Sequence, residues 1–322
     1  MQETRHRVLD ALADGPVSGP DLADRLDISR AAVWKHVEAL REDGFTVESG
    51  DDGYELTAVP EFGGPAVEFG LEAPFSVEYH DTIPSTNSRA RELAADGESD
   101  VVVLADEQTG GRGRLDREFA SPSGGIWLSI LFRPETPPAQ TPIFTLAAAV
   151  AVTRAAREAG VDAGIKWPND VLVPAETRAR QTGPDDGLVD GEKLVGILTE
   201  MEGEADRVSW VIVGTGINAN VDTTDLVPEA TSLREQVGDV DRRVFTQRVL
   251  EEFDALRSNP DQIVPAWREL SSTLGQRVRV ETPGGEVVGE AVDVEFPGSL
   301  IVDTDEGTVR VTAGDCEHLR PE

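Results

Sequence analysis

Glycines and arginines are concentrated in one short segment, residues 106–117, which follows an apolar run at residues 101–105. Three glycines let the backbone approach an anion closely, and three arginines can pair bidentately with a carboxylate or a phosphate. Because the chain has a formal net charge of −32, this cationic cluster predicts an anion-binding loop rather than a flexible basic turn. The segment is not a P-loop, since the Gly-Lys-Ser/Thr ending is missing.

Lysine occurs only three times among 29 basic residues, at Lys35, Lys166 and Lys193. An ammonium group is a compact charge that suits an oxyanion or a phosphate, so each lysine invites a specific explanation. Lys166 precedes Trp167-Pro168, and a proline favours extended geometry in the residue before it. We therefore expect Lys166 at a strand end and Lys193 at the start of the next strand. If these strands pair, both ammonium groups meet over one site; otherwise they are ordinary surface lysines.

Two further segments place polar groups beside predicted elements. Ser85-Thr86-Asn87 follows a proline and opens a helix, where its hydroxyls could cap the helix or donate to a ligand at the helix N-terminus. Residues 214–218, Gly-Thr-Gly-Ile-Asn, end an apolar strand at residues 211–213. Glycines there indicate either a turn or a close approach of the backbone to a ligand.

These residue types favour electrostatic catalysis. No Ser-His-Asp or Cys-His pair lies near the segments above, and the single cysteine, Cys316, excludes a disulfide framework. The four histidines show no metal-ligand spacing. A site built from arginines, lysines and glycines without a nucleophile is typical of nucleotidyl or phosphoryl chemistry, in which positioning and charge neutralisation do most of the work.

The N-terminal residues 4–57 have the pattern of a winged helix-turn-helix, with Ser18 and Ser29 as predicted helix caps and a hairpin wing around residues 50–53. The third helix would expose a basic face suited to phosphate or base contacts in DNA. The residues of that face are Arg30, Lys35, His36 and Arg41. However, residues 1–57 contain six Lys/Arg against thirteen Asp/Glu, whereas DNA-binding modules are usually basic. A helical module kept for packing or regulation is the alternative.

The rest of the chain predicts two more domains in an α+β protein. After a linker at residues 60–65, strands are predicted at residues 75–79, 101–104, 126–132 and 211–213, and helices at 87–95, 143–159, 242–256 and 261–270. Residues 174–191 are polar and predict a mobile surface loop. From residue 276 only short strands follow, at 277–280, 287–294, 299–302 and 308–311, which predicts a small β-barrel.

The acidic composition is extreme, with a pI near 4.4 and carboxylates spread along all 322 residues. Such a surface is typical of adaptation to high salt, because molar salt reduces the Debye length to about 3 Å and screens self-repulsion; an ordinary acidic protein is the alternative. No apolar run approaches the roughly 20 residues of a membrane span, and no signal-peptide pattern is present. We therefore expect a cytoplasmic protein that does not contact a membrane.

Together these segments resemble the biotin–protein ligase family and, in layout, its bifunctional ligase/repressor members. The resemblance covers nearly the whole chain and is most specific in the Gly-Arg loop and in Lys-Trp-Pro-Asn-Asp at residues 166–170. It implies a winged helix-turn-helix at 1–60, a mixed α/β, class II synthetase-like ligase domain at 66–272 and an SH3-like β-barrel at 273–322. It also implies ATP-dependent, AMP-forming activation of biotin and transfer to a lysine of a biotin carboxyl-carrier domain.

The family's site residues transfer onto matching positions of this chain. Implied to bind biotin are Ser85, Thr86, Asn87, Gln108, Gly111, Arg112, Arg114 and Lys166. Implied to bind ATP or the adenylate are Arg112, Arg114, Arg117, Asn169, Asp170, Gly216 and Asn218. Lys166, Arg114 and Lys193 are the expected catalytic residues, and biotin, ATP and Mg²⁺ enter as substrates or activator, with no intrinsic metal site. Operator DNA, contacted through Arg30, Lys35 and His36, and a second copy of the chain are further candidate partners.

The chain departs from the family pattern at two places. Asp116 and Phe119 stand where the family usually has glycine and tryptophan, and the polar insertion at residues 174–191 is longer than usual. We expect these changes to affect closure of the loop over the site rather than the reaction. Two alternative functions stay open: a biotin-sensing DNA-binding repressor with little ligase activity, and a lipoate–protein ligase.

Overall fold

The structure is a computed structural model, and it describes residues 3–114, 117–174, 191–204 and 206–319. Asp116 and most of the insertion predicted as a loop, residues 175–190, lie outside the described residues. Within the described part of the chain, no helix is long and apolar enough to cross a membrane.

The N-terminal residues fold as the predicted winged helix. Its elements are α1 (Glu3–Ala13), α2 (Gly19–Leu26), α3 (Arg30–Glu42), β1 (Thr46–Gly50) and β2 (Gly53–Ala58). Ser18 and Ser29 cap α2 and α3 as expected, each accepting a backbone N–H three residues further on. Val33, Val37 and Leu40 form the buried face of α3 because they recur at helical spacing.

The central region is a seven-stranded mixed sheet with helices packed against it. Its strands are β3 (Ser76–Ile83), β4 (Val101–Gln108), β5 (Ile126–Phe132), β6 (Gly164–Lys166), β7 (Asp170–Val173), β8 (Glu192–Gly203) and β9 (Val208–Ile217). Their order is β3-β4-β5-β9-β8-β7-β6, and only β3 and β4 run parallel. The helices are α4 (Gly64–Glu68), α5 (Thr86–Ala95), α6 (Pro142–Glu158), α7 (Leu233–Val237), α8 (Arg242–Ser258) and α9 (Ile263–Leu270). Helix α6 is apolar almost all round and lies in the core under α8 and α9.

The C-terminal residues form a five-stranded antiparallel sheet. Its strands are β10 (Arg277–Thr282), β11 (Gly285–Glu295), β12 (Ser299–Thr304), β13 (Gly307–Val311) and β14 (Asp315–His318). The alternating apolar residues of this sheet belong to the same core cluster as the central sheet. A bulge in β11 between Ala291 and Asp293 bends the strand. The α+β class and the order of elements are confirmed, whereas the predicted boundaries at residues 60, 66, 272 and 273 stay predictions.

Four short elements differ from the sequence-based expectation. Residues 64–65, predicted as linker, begin α4, and α7, β7 and β14 were not predicted. Each has only four or five residues, too few for a periodic pattern to be visible. The last helix begins at Ile263 instead of 261 because Pro260–Gln262 forms a 3-10 turn.

Candidate active site

A cavity of about 950 Å³ lies against the central sheet, where the predicted chemical segments converge. This volume is in the range of small-molecule sites. Twelve of the predicted site residues line it: Ser85, Thr86, Asn87, Gln108, Arg112, Arg114, Arg117, Asn169, Asp170, Lys193, Gly216 and Asn218. Gly111 and Lys166 are not among the described residues that line it.

The floor of the cavity is a hydrogen-bonded cluster at the start of α5. Gln108 Oε1 accepts from the backbone N–H of Thr86 (2.8 Å) and from its hydroxyl (3.1 Å), and Gln108 Nε2 donates to Ser121 Oγ (3.0 Å). Ser129 Oγ lies 2.8 Å from Thr86 Oγ1 and 2.5 Å from Asn87 Oδ1. Because Thr86 and Asn87 are buried, these bonds fix the side chains in place and define a rigid polar surface for a ligand.

Ser85 acts as the predicted helix cap, because its hydroxyl accepts a hydrogen bond from the backbone N–H of Ser88 at the start of α5. Asn87 is also held by strand β8, because its Nδ2 donates to Glu200 Oε2 at 2.8 Å. The helix N-terminus therefore faces the cavity with its hydroxyl and amide groups already oriented.

The strand that leads into the Gly-Arg loop is anchored by Asp106. Its carboxylate accepts from Ser123 Oγ (2.5 Å) and from Arg242 Nη1 (2.6 Å). Burial opposes ionisation of Asp106, but the hydrogen bonds from Ser123 and Arg242 outweigh burial and hold the pKa of this carboxyl below its ordinary value. Asp106 is therefore ionised at neutral pH and fixes the base of the loop two residues before Gln108.

Arg114 connects the Gly-Arg loop with two other parts of the chain. Its Nη1 donates to Asn169 Oδ1 (3.0 Å) and lies 3.3 Å from Asp315 Oδ1, and its Nη2 donates to the Gly314 carbonyl (2.9 Å). Arg117 is more exposed and reaches the other oxygen of Asp315 at 2.9 Å. The two guanidinium groups thus converge at the cavity mouth, where they can receive a phosphate or carboxylate.

Lys166 and Lys193 flank Asp170 on adjacent strands. Lys193 Nζ lies 2.8 Å from Asp170 Oδ1. Lys166 on β6 is the direct antiparallel partner of Asp170 on β7, and directly paired residues point to the same face of a sheet. The lysine-bearing strands do not pair with each other, because β7 lies between them. The two lysines are nevertheless brought to one face, although only Lys193 and Asp170 line the cavity.

Asn218 is almost fully buried, and the oxygen of its side-chain amide receives no hydrogen bond from the described residues. Its Nδ2 donates to the carbonyls of Lys193 (3.2 Å) and Thr231 (3.0 Å). Its Oδ1 has no hydrogen-bond partner within the described part of the chain. A buried acceptor left unpaired costs stability, so this oxygen suits a ligand that donates an N–H or O–H group.

Glycines in the sheet make room for Phe119. A methyl group on Gly216 would lie 2.5 Å from the Phe119 ring, and one on Gly196 would lie 3.0 Å from it. The ring also meets Trp127 edge to face at a centroid distance of 6.0 Å. Gly111 is needed for a similar reason, since a methyl group there would lie 2.4 Å from the Phe119 carbonyl. Gly111 therefore shapes the loop instead of lining the cavity.

The candidate DNA-binding residues lie on α3, apart from the cavity. Arg30 and Lys35 are exposed, and His36 is half-buried. Burial and the nearby Arg5 both lower the pKa of His36, so it is neutral at neutral pH. Arg41 was wrongly placed on the free face: its guanidinium bonds to the Val47 carbonyl of the wing and to Glu38 and Ser49, because the wing folds back beside the end of α3.

Sequence reasoning missed Glu200 and Asp315, which line the cavity, and also Ser121 and Ser129, which hold the side chains of its floor in place. Ser129 carried a usable signal, since it is the only hydroxyl in the fully buried strand β5. Asp315 carried none, because its partner Arg114 lies about 200 residues away in the sequence.

Gly214 provides a test of the cavity floor. A methyl group there would lie 2.2 Å from Asn87 Oδ1, which Ser129 already holds. We expect Gly214→Ala to lower the free energy of unfolding by about 1–3 kcal/mol, as overpacking does, and to weaken ligand binding in the cavity. Urea unfolding measures the first effect. Gly50→Ala is the control, since nothing lies within 4 Å of a methyl group there; equal stability of the two variants would contradict this view of the floor.

Three sequence-family models match the chain. The biotin/lipoate A/B protein ligase family matches residues 79–218, the biotin protein ligase C-terminal domain matches 273–319, and an HTH domain matches 5–55. These ranges contain the cavity segments, the last sheet and the winged helix, respectively.

Individual relatives agree with these matches. The chain is 37% identical to the bifunctional ligase/repressor BirA of Bacillus subtilis (strain 168), over 94% of this chain and 93% of that protein. It is 37% identical to the biotin--[acetyl-CoA-carboxylase] ligase of Mycobacterium tuberculosis, over 73% of this chain and 86% of that protein. Among solved structures, the biotin protein ligase of Aquifex aeolicus in complex with biotin and ATP matches with a TM-score of 0.60 and 25% identity, covering 76% of this chain and 99% of that one.

Proposed function

The chain belongs to the biotin/lipoate A/B protein ligase family, and we propose from this premise that its cavity joins biotin to AMP and then passes biotin to a carrier protein. The chain is an ATP-dependent biotin–protein ligase. In the first half-reaction the biotin carboxylate attacks the α-phosphate of ATP, forms biotinyl-5′-adenylate and releases pyrophosphate. In the second, a carrier lysine attacks the acyl carbon, the amide forms, and AMP leaves with the electron pair of the broken anhydride bond.

The convergence of the Arg114 and Arg117 guanidinium groups over the cavity is the observation that carries this proposal. A carboxylate and a triphosphate repel each other, and the reaction needs fixed positive charge where they meet. Arg112, Arg114 and Arg117 supply that charge at the cavity wall, with Lys193 beside them, and we assign Lys166 to the same anionic centre from its place opposite Asp170 in the β6–β7 pair. The rigid floor formed by Thr86 and Gln108 suits the neutral polar end of biotin, while Ser85, Asn87 and Gly111 hold the shape of that end of the site.

The nucleotide half of the site would lie around Asn169, Asp170, Gly216 and Asn218. The unpaired Oδ1 of Asn218 can accept an amino N–H of the base, and the glycine faces of Gly196 and Gly216 leave space for a flat ring if Phe119 moves. Among the described residues no group of three or more His, Cys, Asp or Glu could hold a metal. Mg²⁺ would therefore arrive with the nucleotide, since it is usually held by phosphates and one or two carboxylates; Asp170 is the carboxylate best placed in the cavity.

Biotin-dependent ATP–pyrophosphate exchange tests the ligase reaction directly. We expect exchange with biotin and no comparable exchange with lipoate, because relatives named as biotin ligases cover most of the chain. Isothermal titration with each acid provides an independent comparison. Absence of biotin-dependent exchange at both low and high salt would contradict the ligase function, whereas a preference for lipoate would move the chain to the other branch of its family.

A second function, DNA binding as a biotin-responsive repressor, is supported by the winged helix at residues 5–55 and by relatives named as ligase/repressors.

The carrier partner would be the biotin carboxyl-carrier domain of a carboxylase. A homodimer, a cytoplasmic location and adaptation to high salt are further parts of the proposal; the net charge of −32 supports only the last.

A further inference from the structure

Trp34 is an exposed tryptophan in a chain that otherwise buries this residue type. Of the five tryptophans, Trp127, Trp167 and Trp267 are fully buried, and Trp210 is half-buried against the sheet. Trp34 is 55% exposed although it lies in the well-packed helix α3. Its neighbour Val33 faces the core, so helical spacing turns the indole away from the domain.

The exposed face of α3 combines this indole with the two free cations of the helix. Arg30 lies four residues before Trp34, and Lys35 directly follows it. Because Ser29 is the N-cap of α3, all three residues belong to the first two turns of the helix. Neither cation makes an ion pair within the residues that the structure describes. In helix-turn-helix proteins these first turns of the second helix of the motif contact base edges in the major groove.

Electrostatic attraction contributes little to DNA binding by this domain. Residues 1–57 carry a net charge of −7, and four of their thirteen carboxylates lie around the turn of the wing, at Glu48, Asp51, Asp52 and Glu55. Each phosphate that a cation neutralises gives a slope of about −0.9 in a plot of log K against log salt. With Arg30 and Lys35 as the available cations, that slope would be only about −2. Sequence-specific affinity must therefore come chiefly from contacts that do not depend on charge.

We propose that Trp34 is the apolar contact with which α3 reads a thymine-containing step in the DNA major groove, and that this contact supplies most of the sequence-specific affinity. A tryptophan can bury about 150–250 Å² of surface, and apolar side chains distinguish thymine by its methyl group. Arg30 and Lys35, on either side, hold the flanking phosphates and set the register. The inference rests on the proposed DNA-binding function and adds the residue and the kind of base contact.

The experiment begins with duplexes that have a random core of about 40 base pairs, long enough for two half-sites. They are selected on the wild-type chain with biotin and ATP present. Affinities for the selected duplex and for a scrambled duplex are then measured from about 0.2 to 2 M potassium chloride, where screening becomes strong. The variants are Trp34→Ala, Trp34→Phe and Lys35→Gln, and biotin-dependent pyrophosphate exchange and melting temperature are recorded for each.

We expect Trp34→Ala to lose about 10- to 100-fold in affinity for the selected duplex, the range of a good base contact, at every salt concentration and with an unchanged slope. Trp34→Phe should keep most of the affinity. Lys35→Gln should reduce the slope by about 0.9 and weaken both duplexes alike. Exchange should be unchanged in all three variants, because no residue of α3 lines the cavity in the described part of the chain.

Two results would overturn the inference while leaving the ligase function intact. One is that Trp34→Ala binds the selected duplex as tightly as the wild type, which would show that the indole makes no base contact. The other is a wild-type chain that exchanges pyrophosphate with biotin but selects no duplex, which removes the DNA-binding function as well.

Discussion

Replacing Arg114 with alanine should slow biotin-dependent ATP–pyrophosphate exchange by about 100- to 1,000-fold, the effect of removing one preorganised charge from an electrostatic site. The physical reason is its position: the guanidinium joins the Gly-Arg loop to Asn169 of the central sheet and to Gly314 and Asp315 of the last sheet. Its loss removes positive charge and also releases three parts of the cavity wall from one another. Isotope exchange at saturating biotin measures the first effect, and the rate of adenylate release measures the second.

Two other arginines provide the controls for this variant. Arg248→Gln removes a guanidinium that pairs with Glu158 and Glu252 far from the cavity, so exchange should be unchanged. Arg117→Gln should have an intermediate effect, since Arg117 is 71% exposed and its guanidinium contacts Asp315. A different result would be wild-type exchange and wild-type retention of the adenylate by Arg114→Ala. The arginines would then have only a structural role, and they would not form the anion-binding part of the active site.

The winged helix was predictable because its signals are local. Ser18 and Ser29 each cap a helix by accepting a hydrogen bond from the backbone N–H three positions later. The buried residues of α3 recur every three or four positions, which is the spacing of a helix face. The same holds for β5, because its sequence is apolar at every position except Ser129 and such a run predicts a buried central strand. All seven residues of β5 are buried in the structure. In contrast, α7 and β14 are short and are stabilised by tertiary contacts, such as the pairing of β14 with β10, which no local pattern encodes.

The candidate site was predictable where a motif and a strand end coincide. Gln108 ends β4 and Asn218 directly follows β9, and both line the cavity because β4 and β9 run in the same direction on either side of β5 and so end at the same end of the sheet. The closing residues were not predictable. Asp315 and Glu200 meet their partners Arg114 and Asn87 only after the sheets have formed, and both had looked like two more carboxylates among 61 acidic residues.

Lys166 poses the sharpest conflict between the sequence and the structure. The sequence points to Lys166 as the principal cation, whereas the described cavity wall contains Lys193 instead. Strand register reconciles the two, because Lys166 is the backbone partner of Asp170 in the β6–β7 pair and the Lys193 ammonium contacts the Asp170 carboxylate. Asp170 partly neutralises Lys193, so removing Lys193 leaves a carboxylate uncompensated beside the substrate phosphates.

We expect Lys166→Ala to reduce exchange by about 100- to 1,000-fold, through loss of charge where the carboxylate meets the α-phosphate. Lys193→Gln should cost about tenfold, less because Asp170 already offsets its charge. Lys166→Arg should recover little, because a planar guanidinium replaces a compact charge poorly. Full activity of Lys166→Ala together with inactivity of Lys193→Gln would assign the transition-state charge to Lys193 and make Lys166 a structural residue of the β6–β7 turn.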